Sequence, residues 1–225
     1  AGADCVKFQM YRHNSIVHPN LKILPHVKKI AKEKTQSERF KKLELSEKDI
    51  IKLYNQAKKC KIHFAVTPFS IDLVKFLSKY VSFFKIASGD LDFFPMIEEI
   101  LKYKKDIVLS TGMSDLNKIR ETLKILKKNQ VVVMHCISSY PTKSSNSNLN
   151  SIDFLQQKIN NQIGLSDHTK NNIASLVAIG KGVKVFEKHF LPDKKIKKVG
   201  DYELSLNPDE MKKYLSTHHK ALYLS

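Results

Sequence analysis

Seven short apolar runs, each followed in turn by a longer amphipathic stretch, constrain this chain more than any other feature. The runs cover residues 6–9, 62–66, 83–87, 107–110, 131–135, 162–165 and 183–186. They are rich in Val, Ile and Phe with little strict alternation, as expected of strands covered on both faces. The stretches 46–59, 71–79, 91–103, 115–127, 152–158, 171–181 and 208–224 have apolar residues at helical spacing. Asn207, Pro208 and Glu210 punctuate the start of the last one as a cap, a first-turn proline and a capping-box acid. Strand–helix alternation predicts an α/β fold with a parallel sheet and right-handed crossovers. Eight units close a barrel. Seven, beginning at a strand, predict a (β/α)8 TIM-type barrel domain over 1–225, with strands 2–8 present and the first βα unit missing. An open doubly wound sheet is the alternative, but the chain has no glycine-rich nucleotide loop to favour it. The polar, Lys-rich segment 10–45 is expected to be an excursion after the first visible strand.

The formal net charge of +17 bears on partners. A nucleic-acid binder would show it, and so would an enzyme for anionic substrates. Arg12, Arg39 and Arg120 are the three arginines, leaving 36 lysines among the 39 basic residues. Arginine is the preferred fork for phosphates and bases, so this ratio argues for a Lys-rich proteome and against nucleic acid. No apolar run approaches 18 residues, so neither a membrane span nor a membrane partner is expected. Cys5, Cys60 and Cys136 lack paired spacing and read as reduced thiols of a cytoplasmic protein.

Functional groups of a parallel barrel gather at the C-terminal ends of its strands. Those ends read Lys7 and Gln9; Thr67; Lys85 and Ser88; Ser110, Thr111 and Gly112; His135 and Tyr140; Ser166, Asp167 and His168; Glu187 and His189. Lys7 and Lys85 each sit between apolar strand residues, where an ammonium without a partner destabilises the fold by several kcal/mol. An anionic substrate resolves this. So does an ion pair with Asp4 or Glu187, or a side chain that snorkels to the rim. Hydroxyls at Thr67, Ser88, Ser110 and Ser166 suit a phosphate and a carboxylate. His168 and His189 close the last two strands. Neutral imidazoles there can hold one divalent ion with positions open for water and substrate, or can simply hydrogen-bond. No chemistry is assigned to His63, His218 or His219.

Seven motifs, in unbroken order, resemble the sialic acid (N-acetylneuraminate) synthase family, which includes the legionaminic and pseudaminic acid synthases. They are Gly2-Ala3-Asp4-Cys5-Val6-Lys7-Phe8-Gln9; Thr67-Pro68-Phe69; Phe84-Lys85-Ile86-Ala87-Ser88-Gly89-Asp90-Leu91; Leu109-Ser110-Thr111-Gly112-Met113; His135-Cys136 with Tyr140-Pro141-Thr142; Gly164-Leu165-Ser166-Asp167-His168-Thr169; and Glu187-Lys188-His189-Phe190. The resemblance implies condensation of phosphoenolpyruvate with an N-acetylated hexosamine aldehyde. The acceptor is N-acetylmannosamine or a diacetamido-trideoxyhexose, and the products are a nonulosonic acid and phosphate. It implies Mn2+, or Mg2+ or Co2+, and a homodimer when full length. Carried over by position, Lys7, Thr67, Lys85, Ser88, Ser110 and Ser166 match the phosphoenolpyruvate site, with Gln9 on the same strand end. Tyr140 and Ser138 match part of its wall. His168 and His189 match the metal ligands, and Asp201 an aspartate that contacts the acceptor sugar. Lys7, Lys85, His168 and His189 are the residues expected to carry catalysis.

The chain departs from the family pattern in places. Ser70 stands where aspartate is usual, and Ser138 replaces an asparagine. The run 194–198 is unusually basic and lacks the common Pro-Gly-Pro turn. The family's first-strand glutamate and its C-terminal antifreeze-like domain are not in this sequence. A related phosphoenolpyruvate-dependent 3-deoxy-sugar-acid synthase is one alternative, although its second phosphate site would want arginines. An inactive anion-binding barrel fragment is the other.

Overall fold

A computed structural model describes residues 1–24, 28, 31–127, 129–196 and 201–224. It divides into two compact units: residues 4–85 with 93–106, and residues 1–3 with 86–92 and 107–225.

The unit built on 4–85 and 93–106 holds strands β1 (Cys5–Met10), β2 (His63–Pro68) and most of β3 (Phe84–Ile86). The helices α1 (His13–Ile16), α2 (Gln36–Leu43), α3 (Glu47–Lys59), α4 (Ile71–Leu77) and α5 (Phe94–Leu101) accompany them. β1, β2 and β3 pair in chain order, all parallel. Ser46 caps α3: its side chain accepts from the Asp49 amide while the Asp49 carboxylate accepts from the Ser46 amide. Ile50 and Ala57 of α3, Leu73, Val74 and Leu77 of α4, and Met96, Ile97 and Ile100 of α5 are buried with Phe64, Ala65 and Val66 of β2. Each large aliphatic side chain among them contributes about 1.5–3 kcal/mol by leaving water.

The segment 10–45 does run out between β1 and α3, and it carries structure of its own. It contains α1 and α2, and α2 starts at a Thr35 hydroxyl that accepts from the Glu38 amide. Residues 25–27, 29 and 30 of that segment lie outside the described residues.

The unit containing 107–225 holds β4 (Ile107–Ser110), α6 (Leu116–Ile125), β5 (Val131–Cys136), α7 (Asn150–Lys158), β6 (Gln162–Asp167), α8 (Ile173–Gly180), β7 (Phe186–Lys188) and α9 (Pro208–Leu224). β4 to β7 also pair in chain order and parallel. β7 lies at 186–188 rather than at 183–186. Val183 is buried but outside the ladder, and Phe186, Glu187 and Lys188 form the strand, which ends just before His189. At α9 the Asn207 side chain accepts from the Glu210 amide, and the Glu210 carboxylate accepts from the Asn207 amide. Among the described residues no helix is long and apolar enough to cross a membrane.

Close packing in this unit depends on Gly164. A Cβ there would overlap the Met134 sulfur and come within 2.9 Å of the Val185 carbonyl oxygen, which belongs to the backbone. Gly164→Ala is therefore expected to cost about 1–3 kcal/mol. A Cβ at Gly180, the exposed last residue of α8, meets nothing within 4 Å. Gly180→Ala is expected to stabilise by about 0.4–1 kcal/mol. Urea titration of the two variants measures both signs.

Candidate functional site

Side-chain alternation along the paired strands determines which residues share a face. In the unit built on 4–85, Lys7 lies beside Ala65 and Gln9 beside Thr67, while Val66 lies beside Phe84. Lys7, Gln9, Thr67 and Lys85 therefore project from one face of the sheet. Thr67 and Lys85 are 2% and 3% exposed, Lys7 is half-buried and Gln9 is exposed.

In the other unit, Ser110 lies beside Met134, Cys136 beside Ser166, and Ser166 beside Glu187. His168 and His189 follow two residues beyond Ser166 and Glu187, so they continue that face. Ser110, Ser166 and His168 are buried, and His189 is half-buried. The two imidazole rings lie 5.3 Å apart between centroids. The Tyr140 ring sits 4.2 Å from that of His168 and meets that of His189 edge-on at 5.8 Å. Asp201 Oδ2 is 3.6 Å from His189 Nδ1. Lys197, Lys198, Val199 and Gly200, just before Asp201, lie outside the described residues.

A second cluster on the same unit surrounds Gly112. Its amide donates to Ser88 Oγ at 3.0 Å, and Ser88 Oγ lies 3.6 Å from Cys136 Sγ. A Cβ on Gly112 would overlap the side-chain oxygen of the exposed Ser138, so only glycine keeps this space open. Cys5, Cys60 and Cys136 form no disulfide.

Hydrogen bonding assigns the His168 tautomer. Nδ1 lies 2.8 Å from the Ile137 carbonyl oxygen. A carbonyl only accepts, so Nδ1 carries the proton and Nε2 keeps a lone pair. Ser166 Oγ lies 3.3 Å from that Nε2 but donates to Glu187 Oε1 at 2.8 Å. One hydroxyl proton cannot serve both, so the Nε2 lone pair stays available as a ligand atom. Burial holds His168 below the ordinary imidazole range, against the pull of Glu187, Asp167 and Asp201. A neutral ring with its far nitrogen anchored is the form a metal-binding histidine needs. The pair thus fits a half-open divalent-ion site. Among the described residues, no group of three or more His, Cys, Asp or Glu side chains is placed to hold a metal ion, so the site offers the two imidazoles.

The opposite face carries a buried ion pair. Lys188 Nζ is 3.0 Å from Asp167 Oδ2, with side chains 2% and 0% exposed. The polar order Ser166-Asp167-His168 and Glu187-Lys188-His189 was the available signal: if the histidines face one way, the residues before them face the other. Burial lowers the Lys188 ammonium from the usual lysine range, and Asp167 opposes that shift.

Burial likewise lowers His135, whose Nε2 meets the Ser147 carbonyl at 2.9 Å, and His218, whose Nδ1 meets the Tyr214 carbonyl at 2.7 Å. A folded-state value below the unfolded one, about 6.5, means the unfolded chain binds more protons as pH falls. Stability from these rings is complete above that pH and declines below it. The melting temperature should drop from pH 7.5 to 5.5. Calorimetry at pH 6 in buffers of different ionisation enthalpy should show proton uptake on unfolding; no uptake would contradict three buried neutral histidines.

The NeuB family model matches residues 1–223. The chain is 40% identical over 219 residues to an uncharacterized protein of Methanocaldococcus jannaschii, covering 96% of this chain and 61% of that one. It is 36% identical over 219 residues to the N,N'-diacetyllegionaminic acid synthase of Campylobacter jejuni, covering 94% of this chain and 65% of the relative. The crystal structure of the N-acetylneuraminic acid synthetase of Leptospira borgpetersenii superposes with a TM-score of 0.86 at 27% identity, covering 99% of this chain and 74% of that one. The chain thus spans under two thirds of the length of these curated relatives. With the family model covering nearly all of its residues, the chain belongs to the NeuB family.

Proposed function

We propose that the protein joins phosphoenolpyruvate to the open-chain aldehyde of an N-acetylated hexosamine, giving a nonulosonic acid and phosphate. The observation that supports this most is the His168–His189 pair under the Tyr140 ring, with Asp201 beside it. His168 and His189 would hold the divalent ion, Mn2+ in this reading. When bound, the ion supplies a Lewis acid for the aldehyde oxygen.

The chain's own groups bind and orient. Lys7 and Lys85, with Thr67, Ser88, Ser110 and Ser166, are fixed electrostatic partners for the phosphate and carboxylate of phosphoenolpyruvate. By the positions carried over from the family, Ser138 and Tyr140 would bound that substrate, and Gln9 is assigned to its binding. Asp201 accepts hydrogen bonds from the sugar hydroxyls. Held in register, the phosphoenolpyruvate methylene carbon forms the new bond to the aldehyde carbon. Water then adds at the next carbon, and the tetrahedral adduct loses phosphate. An N-acetylmannosamine or diacetamido-trideoxyhexose acceptor, a complete eight-stranded barrel and a homodimer belong to the same proposal.

The test is to supply the full-length protein with Mn2+, phosphoenolpyruvate and each acceptor, following phosphate release and product mass. Phosphate release with a nonulosonic acid is the expected result. Turnover with a phosphorylated aldose instead would shift the reading to a 3-deoxy-sugar-acid synthase. No turnover with any aldehyde would overturn it.

A further inference from the structure

We infer that the buried Asp167–Lys188 ion pair is a positioning device that sets the two histidines side by side from the opposite face of the sheet. The inference rests on the two-histidine metal reading. Asp167 and Lys188 are neighbours across the β6–β7 ladder, and each immediately precedes a histidine. Pleating sends the acid and the lysine to one face and the two imidazoles to the other.

The Lys188 ammonium reaches Asp167 Oδ2 at 3.0 Å, the Thr169 carbonyl at 2.5 Å and the Asn171 carbonyl at 3.4 Å. The other Asp167 oxygen accepts from the Thr169 amide at 2.8 Å. The side chain before His168 and the backbone after it are therefore both tied to Lys188, one residue before His189. Asp167 Oδ2 also accepts from Ser175 Oγ on α8 at 2.9 Å, and that hydroxyl in turn accepts from Tyr214 on α9 at 2.9 Å. A chain of hydrogen bonds thus runs from α9 to the strand ends that carry the histidines.

Stability alone does not account for this pair. Taking both charges out of water costs about as much as their attraction returns, and an apolar pair of similar volume often serves as well. What ionic hydrogen bonds add is direction: three donors and two acceptor oxygens at defined positions.

The double variant Asp167→Asn/Lys188→Met, made in the full-length protein, removes both charges and leaves neither unpaired. We expect it to fold but to melt lower than wild type, because the Thr169 carbonyl loses its Lys188 donor. Its Co2+ affinity, by calorimetry, should be about tenfold to a hundredfold weaker, with an altered visible Co2+ spectrum. A folded double variant with native affinity and native spectrum would overturn the proposal. If the double variant does not fold, Tyr214→Phe removes only the far hydrogen bond. It should weaken Co2+ by about two- to fivefold, and native affinity there would equally overturn the proposal. Wild-type protein that takes up no Co2+ would sink the metal reading instead. Positioning is then decided by long-range 1H–15N spectra of the imidazoles. A single Nδ1-protonated His168 in wild type that becomes a tautomer mixture in the variants supports it, and unchanged ring shifts refute it.

Discussion

Replacing either His168 or His189 by alanine is expected to abolish Mn2+ binding in the full-length protein. Lewis-acid assistance is worth several kcal/mol, so turnover should fall by about a thousandfold or more. The two variants should differ in stability. His168 is buried, packs at a tilt with its ring 4.2 Å from that of Tyr140 and donates to the Ile137 carbonyl. Its truncation leaves that carbonyl short of a partner and should cost about 1–3 kcal/mol. His189 is half-buried, and its truncation should lower the melting temperature less. Calorimetric titration with Mn2+ beside a thermal melt separates ligand loss from unfolding. Native Mn2+ affinity in either folded variant would show that the two-histidine site is wrong.

Truncating Lys85 or Lys7 to methionine is expected to weaken phosphoenolpyruvate by about tenfold to a hundredfold, since a charge-assisted hydrogen bond is worth about 1.5–3 kcal/mol. Methionine keeps most of the apolar stem, so β1 and β3 should survive. Affinity for the uncharged N-acetylated sugar should change little. Lys85, 3% exposed, is the sharper test, because its ammonium is held where water does not compensate it. The competing account, a lysine that serves only the fold, gives the reverse pattern. It expects a melting temperature lower by several degrees and unchanged phosphoenolpyruvate affinity in the folded fraction. Titrating each variant with both ligands distinguishes the two.

The strand–helix alternation was legible because burial on both faces leaves continuous Val, Ile and Phe runs, as at β2 and β5, where nearly every residue is buried. Boundaries held where a side chain marks them chemically, as Ser46 does for α3, Asp115 for α6 and Asn207 with Glu210 for α9. The helix α2 went unread because its segment is polar and Lys-rich, although Thr35 with Glu38 was the cap that could have announced it. β7 was placed three residues early because the apolar run at 183–186 outweighed the polar Glu187 and Lys188 that complete the strand.

The sequence by itself determined the element order and put hydroxyls, lysines and histidines at the strand ends, because period and polarity are local properties of the chain. It could not decide whether His168 lies beside His189, which is 21 residues away. Nor could it show that Tyr140 covers His168, or that Ser166 gives its proton to Glu187. The Asp167–Lys188 pair escaped for the same reason: either residue alone reads as a polar strand end. Only the β6–β7 register brings them together, and only the folded packing takes both out of water. Strand register and burial are cooperative outcomes of the packed sheet, and they fix distances between residues that no local pattern relates.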